Sequence, residues 1–197
     1  MTGRPSGIRS YWLWAVMALP AMAVVVDGLC AQTSVDELVA ATGEWSARLL
    51  LVVLALSPLR RVLPNARWLA WLNLRRRHIG VAAFLYAVLH VIFYVIDMQT
   101  LRNILAEFMA VAILTGWLAF VVLLLLGLTS NSVSVRWLGS AWKLLHRWVY
   151  VGAALTLWHW VVVHDGATAA WIHFVPLILL EVYRVGHTVV TGNRSAS

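Results

Sequence analysis

Six stretches of this chain, at 11–29, 46–63, 79–97, 108–128, 146–163 and 168–187, are apolar over a length that suits a hydrocarbon core. Such a core is about 30 Å thick, and an α-helix crosses it in roughly 20 residues. Nothing else in the sequence limits the fold so strongly. Backbone in lipid must satisfy its own hydrogen bonds, and separate apolar segments of this length do so as helices. The expected fold is all-α, a polytopic integral membrane bundle of six helices. The second stretch is cut short by Pro58 and the pair Arg60-Arg61, although Leu59 to Leu63 extend it at the interface. With 62% hydrophobic and 12% charged residues, a chain of 197 residues lacks the polar surface to cover a soluble globule.

The net charge of +7 would suggest nucleic acid in a polar chain; in an apolar one the placement of the basic residues decides. Lipid is the expected partner, and nucleic acid is not. With the N-terminus in the cytoplasm, thirteen of the fifteen Arg and Lys residues fall on the inner side of six spans, leaving only Arg48 and Arg102 outside. Seven of the eight acids fall outside, Glu181 being the exception. This separation predicts a multi-pass inner-membrane protein with both termini cytoplasmic: residues 1–10 as the N-terminal segment, 11–187 as the transmembrane domain and 188–197 as a tail. Arg4 and Arg9 ahead of an apolar run ending near Leu29-Cys30-Ala31 also fit a cleaved signal peptide, which leaves the later topology unchanged. Trp12, Trp14, Trp45, Trp142 and Trp171 sit near span ends, as an aromatic belt requires. The single cysteine, Cys30, cannot form an intrachain disulfide, and no zinc-type spacing is present. There is no GxGxxG motif and no P-loop, so an electron donor is expected to be external and the substrate-reducing site to lie elsewhere.

Histidines carry the chemistry. An imidazole well inside a span is costly without a partner, and His90 and His159 are the deepest of seven. The third and fifth spans run in the same direction, so His90 and His159 share one depth, in the outer leaflet, while His78 and His146 open the same spans near the inner surface. The steps of 12 and 13 residues cover roughly 18 Å and 20 Å. Two stacked haems between helices three and five fit that spacing, with His90 and His159 as axial ligands of the outer one and His146 and His78 of the inner one. Two axial imidazoles leave the iron no open position, which favours electron transfer. At about 100° per residue His78 lies about 120° around the helix from His90, and His146 about 140° from His159, so the inner pair needs bending or lateral offset.

Simpler readings stand beside these. His90 and His159 also fit structural interhelical hydrogen bonds, and His78, next to Arg76 and Arg77, also reads as a solvated interfacial residue. Arg76, Arg77, Lys143 and Arg147 could meet haem propionates at the inner edge, although the positive-inside rule alone accounts for them. Arg48 or Arg102 would serve the outer haem. His164 is expected to be exposed or to contact a propionate, and His173 and His187 to be interfacial. A different class, a transporter using histidines for protons or a transition metal, is permitted by intramembrane histidines but has few carboxylates to work with.

The motifs Ser57-Pro58-Leu59-Arg60-Arg61, Arg76-Arg77-His78-Ile79-Gly80, Leu89-His90, Leu145-His146-Arg147-Trp148-Val149-Tyr150 and His159-Trp160 occur in an order and spacing that resemble the ferric-reductase-like transmembrane family. Within it, the chain is similar to haem subunits of bacterial periplasmic methionine sulfoxide reductase systems. The resemblance implies haem b, one or two per chain, held by His90, His146 and His159, with FMN as a further cofactor. It implies electrons taken from a cytoplasmic flavin reductase or quinol and given to a periplasmic molybdopterin reductase. His78 departs from the aliphatic residue usual there. It is either a further ligand, as in the four-histidine plan of ferric reductases, or a sign of another acceptor.

Overall fold

The structure, a computed structural model, describes residues 8–30, 33–163 and 167–194, and within them side chains from 11 to 187. The described chain is helical, with no strand. In order, the helices are α1 (Ile8–Leu29), α2 (Val35–Val62), α3 (Arg67–Leu74), α4 (Arg76–Met98) and α5 (Leu101–Glu107), then α6 (Val111–Leu128), α7 (Ser132–Leu138), α8 (Ser140–Arg147), α9 (Val149–Val163) and α10 (Ala167–Arg194). Local chemistry sets several boundaries. Thr100 and Asn131 cap α5 and α7 by accepting the amides of Asn103 at 3.3 Å and Ser134 at 2.8 Å. Gly139, at φ 51°, turns the chain between α7 and α8, a left-handed conformation that glycine adopts without a Cβ clash.

Five of these helices, α1, α2, α4, α6 and α10, are long and apolar enough to cross a membrane, and the chain is a multi-pass membrane protein. The expected fifth span, 146–163, is divided. The Trp148 amide turns back to the carbonyls of Leu145 and His146, so Lys143, His146 and Arg147 belong to the short amphipathic α8 and the apolar α9 keeps 15 residues. Separating charged residues from an apolar helix avoids burying them in hydrocarbon. The second span begins at Val35 instead of 46, with Asp36 and Glu37 in its first turn, where the helix dipole favours carboxylates. Pro58 lies buried inside α2 and does not end it, as neighbouring helices allow in membrane proteins.

Two helix pairs organise the bundle. Helices α2 and α4 make the most extensive contact, along a seam of small buried residues: Ser46 and Ala47 on α2, Ala83 and Ala87 on α4. The Ser46 hydroxyl donates to the Ala83 carbonyl at 2.9 Å across it. Small residues let the backbones approach, which is how helices associate where lipid removes the hydrophobic driving force. The second pair, α6 and α9, buries Ala119 and Leu123 of α6 and Gly152 and Ala153 of α9, and a Cβ on Gly152 would lie 3.1 Å from Val122 of α6. Helix α10 closes on α2 and α9 with Ala170, Phe174 and Leu177. Helix α1 rests on α2 and α4, where the Tyr86 hydroxyl accepts the Ala21 amide at 2.8 Å and donates to the Met17 carbonyl at 2.7 Å. The phenol thus occupies one rung of the α1 ladder immediately after Pro20.

Replacing Ala83 with Leu should overpack the α2–α4 seam and cost about 1–3 kcal/mol. Thermal unfolding in detergent should show a clear fall in midpoint. Leu85→Ala, half-exposed on the same helix, should stay within about 0.5 kcal/mol of the parent.

Candidate functional site

Between the two helix pairs lies a cavity of about 370 Å³, at the end of the bundle where α2 and α6 begin and α4 and α9 finish. His90 of α4 and His159 of α9 face each other across it, ring centres 6.2 Å apart and planes 83° to one another. Sequence depth had placed these two together.

The fixing of each ring could not be read from depth. His90 donates from Nδ1 to the Val39 carbonyl of α2 at 2.8 Å, and His159 from Nδ1 to the Ala112 carbonyl of α6 at 2.7 Å. A carbonyl only accepts, so in the neutral ring Nδ1 carries the proton and Nε2 the lone pair. Each ring reaches that carbonyl because a glycine stands four residues further along the same helix. A Cβ on Gly43 would come within 2.9 Å of His90 Nδ1, and one on Gly116 within 2.7 Å of His159 Cε1. The chain therefore builds one device twice, in Val39-Ala40-Ala41-Thr42-Gly43 and in Ala112-Ile113-Leu114-Thr115-Gly116. Neither segment was assigned a role from sequence. The available signal was the repeated Thr-Gly pair near the start of two spans.

Val91, Ile113, Phe120 and Leu123 make the cavity apolar, and Trp117 and Trp160 add aromatic walls. The Tyr94 hydroxyl is buried on this lining with no hydrogen-bond partner among the described residues. Asp36, Glu37, Glu44 and Asp97 complete the lining toward the near end of the bundle. Arg48, expected as a cationic partner there, ion-pairs with Glu44, lies over the Trp45 ring at 5.3 Å and donates from Nε to His173 Nε2 at 3.5 Å. His173 in turn donates from Nδ1 to the Ala169 carbonyl at 2.7 Å and packs against Trp160, ring centres 5.3 Å apart. Its tautomer is therefore set like those of the facing pair.

The other expected ligands lie toward the arginine-rich end. His146, in α8, stacks on Trp142 with ring centres 3.9 Å apart, and its Nε2 is 3.2 Å from the Thr129 hydroxyl. Burial, with Arg77 and Arg76 adding positive charge, holds its imidazole below the ordinary histidine pKa, which favours the neutral ring. His78 turns instead to α1, edge-on to Trp14 at 5.8 Å, with Nδ1 buried and lacking a partner among the described residues. Among those residues no hydrogen bond or ring contact joins His78 to His146. Arg76, Arg77 and Arg147 are exposed at this end, and Arg102 is exposed on α5. His187 packs near Tyr183 at 6.0 Å. His164 and Asp165, and the side chains of Arg4, Arg9 and Arg194, lie outside the described residues.

Fold and site define a multi-pass helical membrane protein with two imidazoles held close together, their planes nearly perpendicular, by main-chain carbonyls. Residues 42–157 match the family described as ferric reductase like transmembrane component, a match that takes in Gly43, His90, Gly116 and His146 and ends two residues before His159. Three curated relatives carry the name protein-methionine-sulfoxide reductase heme-binding subunit MsrQ. The one from Rhizobium meliloti is 33% identical over 164 residues, 79% of this chain and 74% of the relative. That from Caulobacter vibrioides is 34% identical over 174 residues, 83% and 76%. That from Polaromonas naphthalenivorans is 37% identical over 130 residues, 63% and 57%. No solved structure matches the chain. The chain belongs to the ferric reductase like transmembrane family, and within it to the MsrQ group.

Because both rings are anchored at Nδ1, a methyl group at either glycine has to displace one. Gly43→Ala and Gly116→Ala should each lower stability by about 1–3 kcal/mol. Gly80→Ala, in α4 where an added Cβ meets nothing within 4 Å, should raise it by roughly 0.5–1 kcal/mol. Melting curves of the three variants in one detergent check both signs.

Proposed function

We propose that the chain is a haem b electron-transfer subunit in which His90 and His159 are the axial ligands of one haem. The separation of their rings carries the proposal. Two imidazoles bonded to one metal at about 2 Å each have ring centres roughly 6 Å apart, and these stand at 6.2 Å. Their Nδ1–H bonds to carbonyls orient the rings and raise their basicity, as the outer partners of metal-bound histidine do. Among the described residues no three His, Cys, Asp or Glu side chains gather at one point. A pair of ligands suits a metal that brings its own equatorial nitrogens, and the apolar 370 Å³ cavity suits a macrocycle's faces. Tyr94 offers its unused hydroxyl to a polar group on the macrocycle's edge.

Haem held by His90 and His159 would supply a one-electron carrier, and with an imidazole on each side it would favour electron transfer over oxygen binding. The chain's side chains exclude water and keep the rings in place. With the 15-residue α9 as a sixth, short crossing beside the five long helices, charge placement supports both termini in the cytoplasm and the carboxylate-rich end outside, and the relatives point to a bacterial inner membrane. The His90–His159 site then lies in the outer half, close to a periplasmic partner. The name that the relatives carry points to methionine sulfoxide reduction as that partner's reaction, and a molybdopterin reductase is the proposed acceptor. Electrons enter from a cytoplasmic flavin reductase or from quinol, at the end where Arg76, Arg77 and Arg147 can meet haem propionates or the phosphate of FMN. A second haem at His146 requires its Nε2 to leave Thr129, and His78 serves it only after turning from Trp14.

Purified protein should show a Soret band and a reducible α-band. His90→Ala and His159→Ala should each lower the haem-to-protein ratio by about tenfold or more, while His146→Ala keeps the outer haem. A wild-type protein that takes up no haem when folded would overturn the proposal, and the same spectra would then favour a histidine-based transporter.

A further inference from the structure

We infer that Thr42 and Thr115 are positioning residues that set the electron-donating strength of the two facing imidazoles, an inference that rests on the haem reading above. Each threonine directly precedes a cavity glycine, and each hydroxyl reaches the carbonyl that anchors the histidine. Thr42 Oγ1 is 3.0 Å from the Val39 carbonyl oxygen and 2.7 Å from that of Leu38. Thr115 Oγ1 is 2.8 Å from the Ala112 oxygen and 2.9 Å from that of Val111. Val39 and Ala112 are the residues whose oxygens receive His90 Nδ1–H and His159 Nδ1–H. A threonine in a membrane helix ordinarily back-bonds to a carbonyl three or four residues earlier to satisfy itself. Here that habit falls twice on the one carbonyl in its helix to which a cavity histidine is tied.

The consequence follows from sharing an acceptor. An oxygen that takes a share of a hydroxyl proton accepts the imidazole N–H less strongly, so the ring keeps less imidazolate character, the more so at Ala112, where the anchor is the nearer of the two oxygens. A less basic axial ring stabilises ferric iron less, and the reduction potential is higher than a carbonyl with the imidazole alone would give. Each threonine has one hydroxyl proton, shared between its i−3 and i−4 oxygens, and the i−3 oxygen is the histidine's anchor, 2.8 Å from Thr115 Oγ1 and 3.0 Å from Thr42 Oγ1. Thr42 is fully buried, so no water can substitute for its hydroxyl.

The test is a spectroscopically monitored redox titration of the full chain in detergent, for the parent and for Thr42→Val, Thr115→Val, Thr42→Ser and Thr115→Ser. Valine keeps the shape and removes the hydroxyl; serine keeps the hydroxyl. Expected is retained haem in the valine variants with a midpoint potential shifted to more negative values, and a return toward the parent value with serine. Haem lost with valine and kept at the parent potential with serine also supports the hydroxyl's role in holding the ring. Valine variants that keep haem at the parent potential would overturn the inference while leaving the haem reading intact. Loss of haem with valine and serine alike would overturn it as well, because the position would then be one of packing. A parent protein that binds no haem overturns the underlying reading and this inference with it.

Discussion

A histidine inside a membrane bundle has two ring nitrogens to satisfy, and the partner found by the first decides what the second can do. At His90 and His159 the first partner is a main-chain carbonyl of the neighbouring helix, which puts the proton of the neutral ring on Nδ1 and the lone pair on Nε2, in two rings that line one cavity. A helical carbonyl already serves its own ladder and is shielded by the side chain four residues on. Removing that side chain, at Gly43 and Gly116, opens the approach. Glycine inside a helix costs roughly 0.5–1 kcal/mol, and a buried polar group without a partner about 1–3 kcal/mol. The exchange is favourable even before any ligand binds.

The packing of the bundle serves this arrangement. His90 can reach Val39 only because Ser46, Ala47, Ala83 and Ala87 bring α2 and α4 close together, and α6 and α9 stand in the same relation around Gly152 and Ala153. Each pair is tight within itself. Between the pairs the helices separate, and the space left is the cavity. Had α4 and α9 packed directly on one another, the two rings would have met with no room between them.

Much of this was legible in the sequence. Apolar length gave the all-α membrane bundle, and matched depth brought His90 and His159 together, because a period of 1.5 Å per residue leaves little freedom along a helix axis. The start of α2 was missed because Asp36, Glu37 and Glu44 read as loop, although acids at a helix N-terminus are favoured by its dipole. The division of the fifth span at Trp148 was missed because an apolar count cannot register a change of hydrogen-bond partner. Gly43 and Gly116 were invisible for a deeper reason. Their importance lies in what is absent at Cβ, and only the neighbouring helix, placed in three dimensions, gives that absence meaning.

The rotation along α4 explains why the two ends of the bundle differ. The helix is continuous from Arg76 to Met98, so the turn of about 120° between His78 and His90 is not relieved by any break. His90 therefore looks toward α2 and the cavity while His78 looks toward Trp14 of α1. On the other side the tightened turn at Trp148 separates α8 from α9, and His146, in α8, finds Trp142 and Thr129. The end rich in carboxylates holds a rigid pair of imidazoles whose separation is set by backbone. The end rich in arginine holds two imidazoles engaged by different neighbours. A fixed geometry suits the haem proposed for that end, whereas the arginine-rich end presents exposed cations, Arg76, Arg77 and Arg147, to anionic groups.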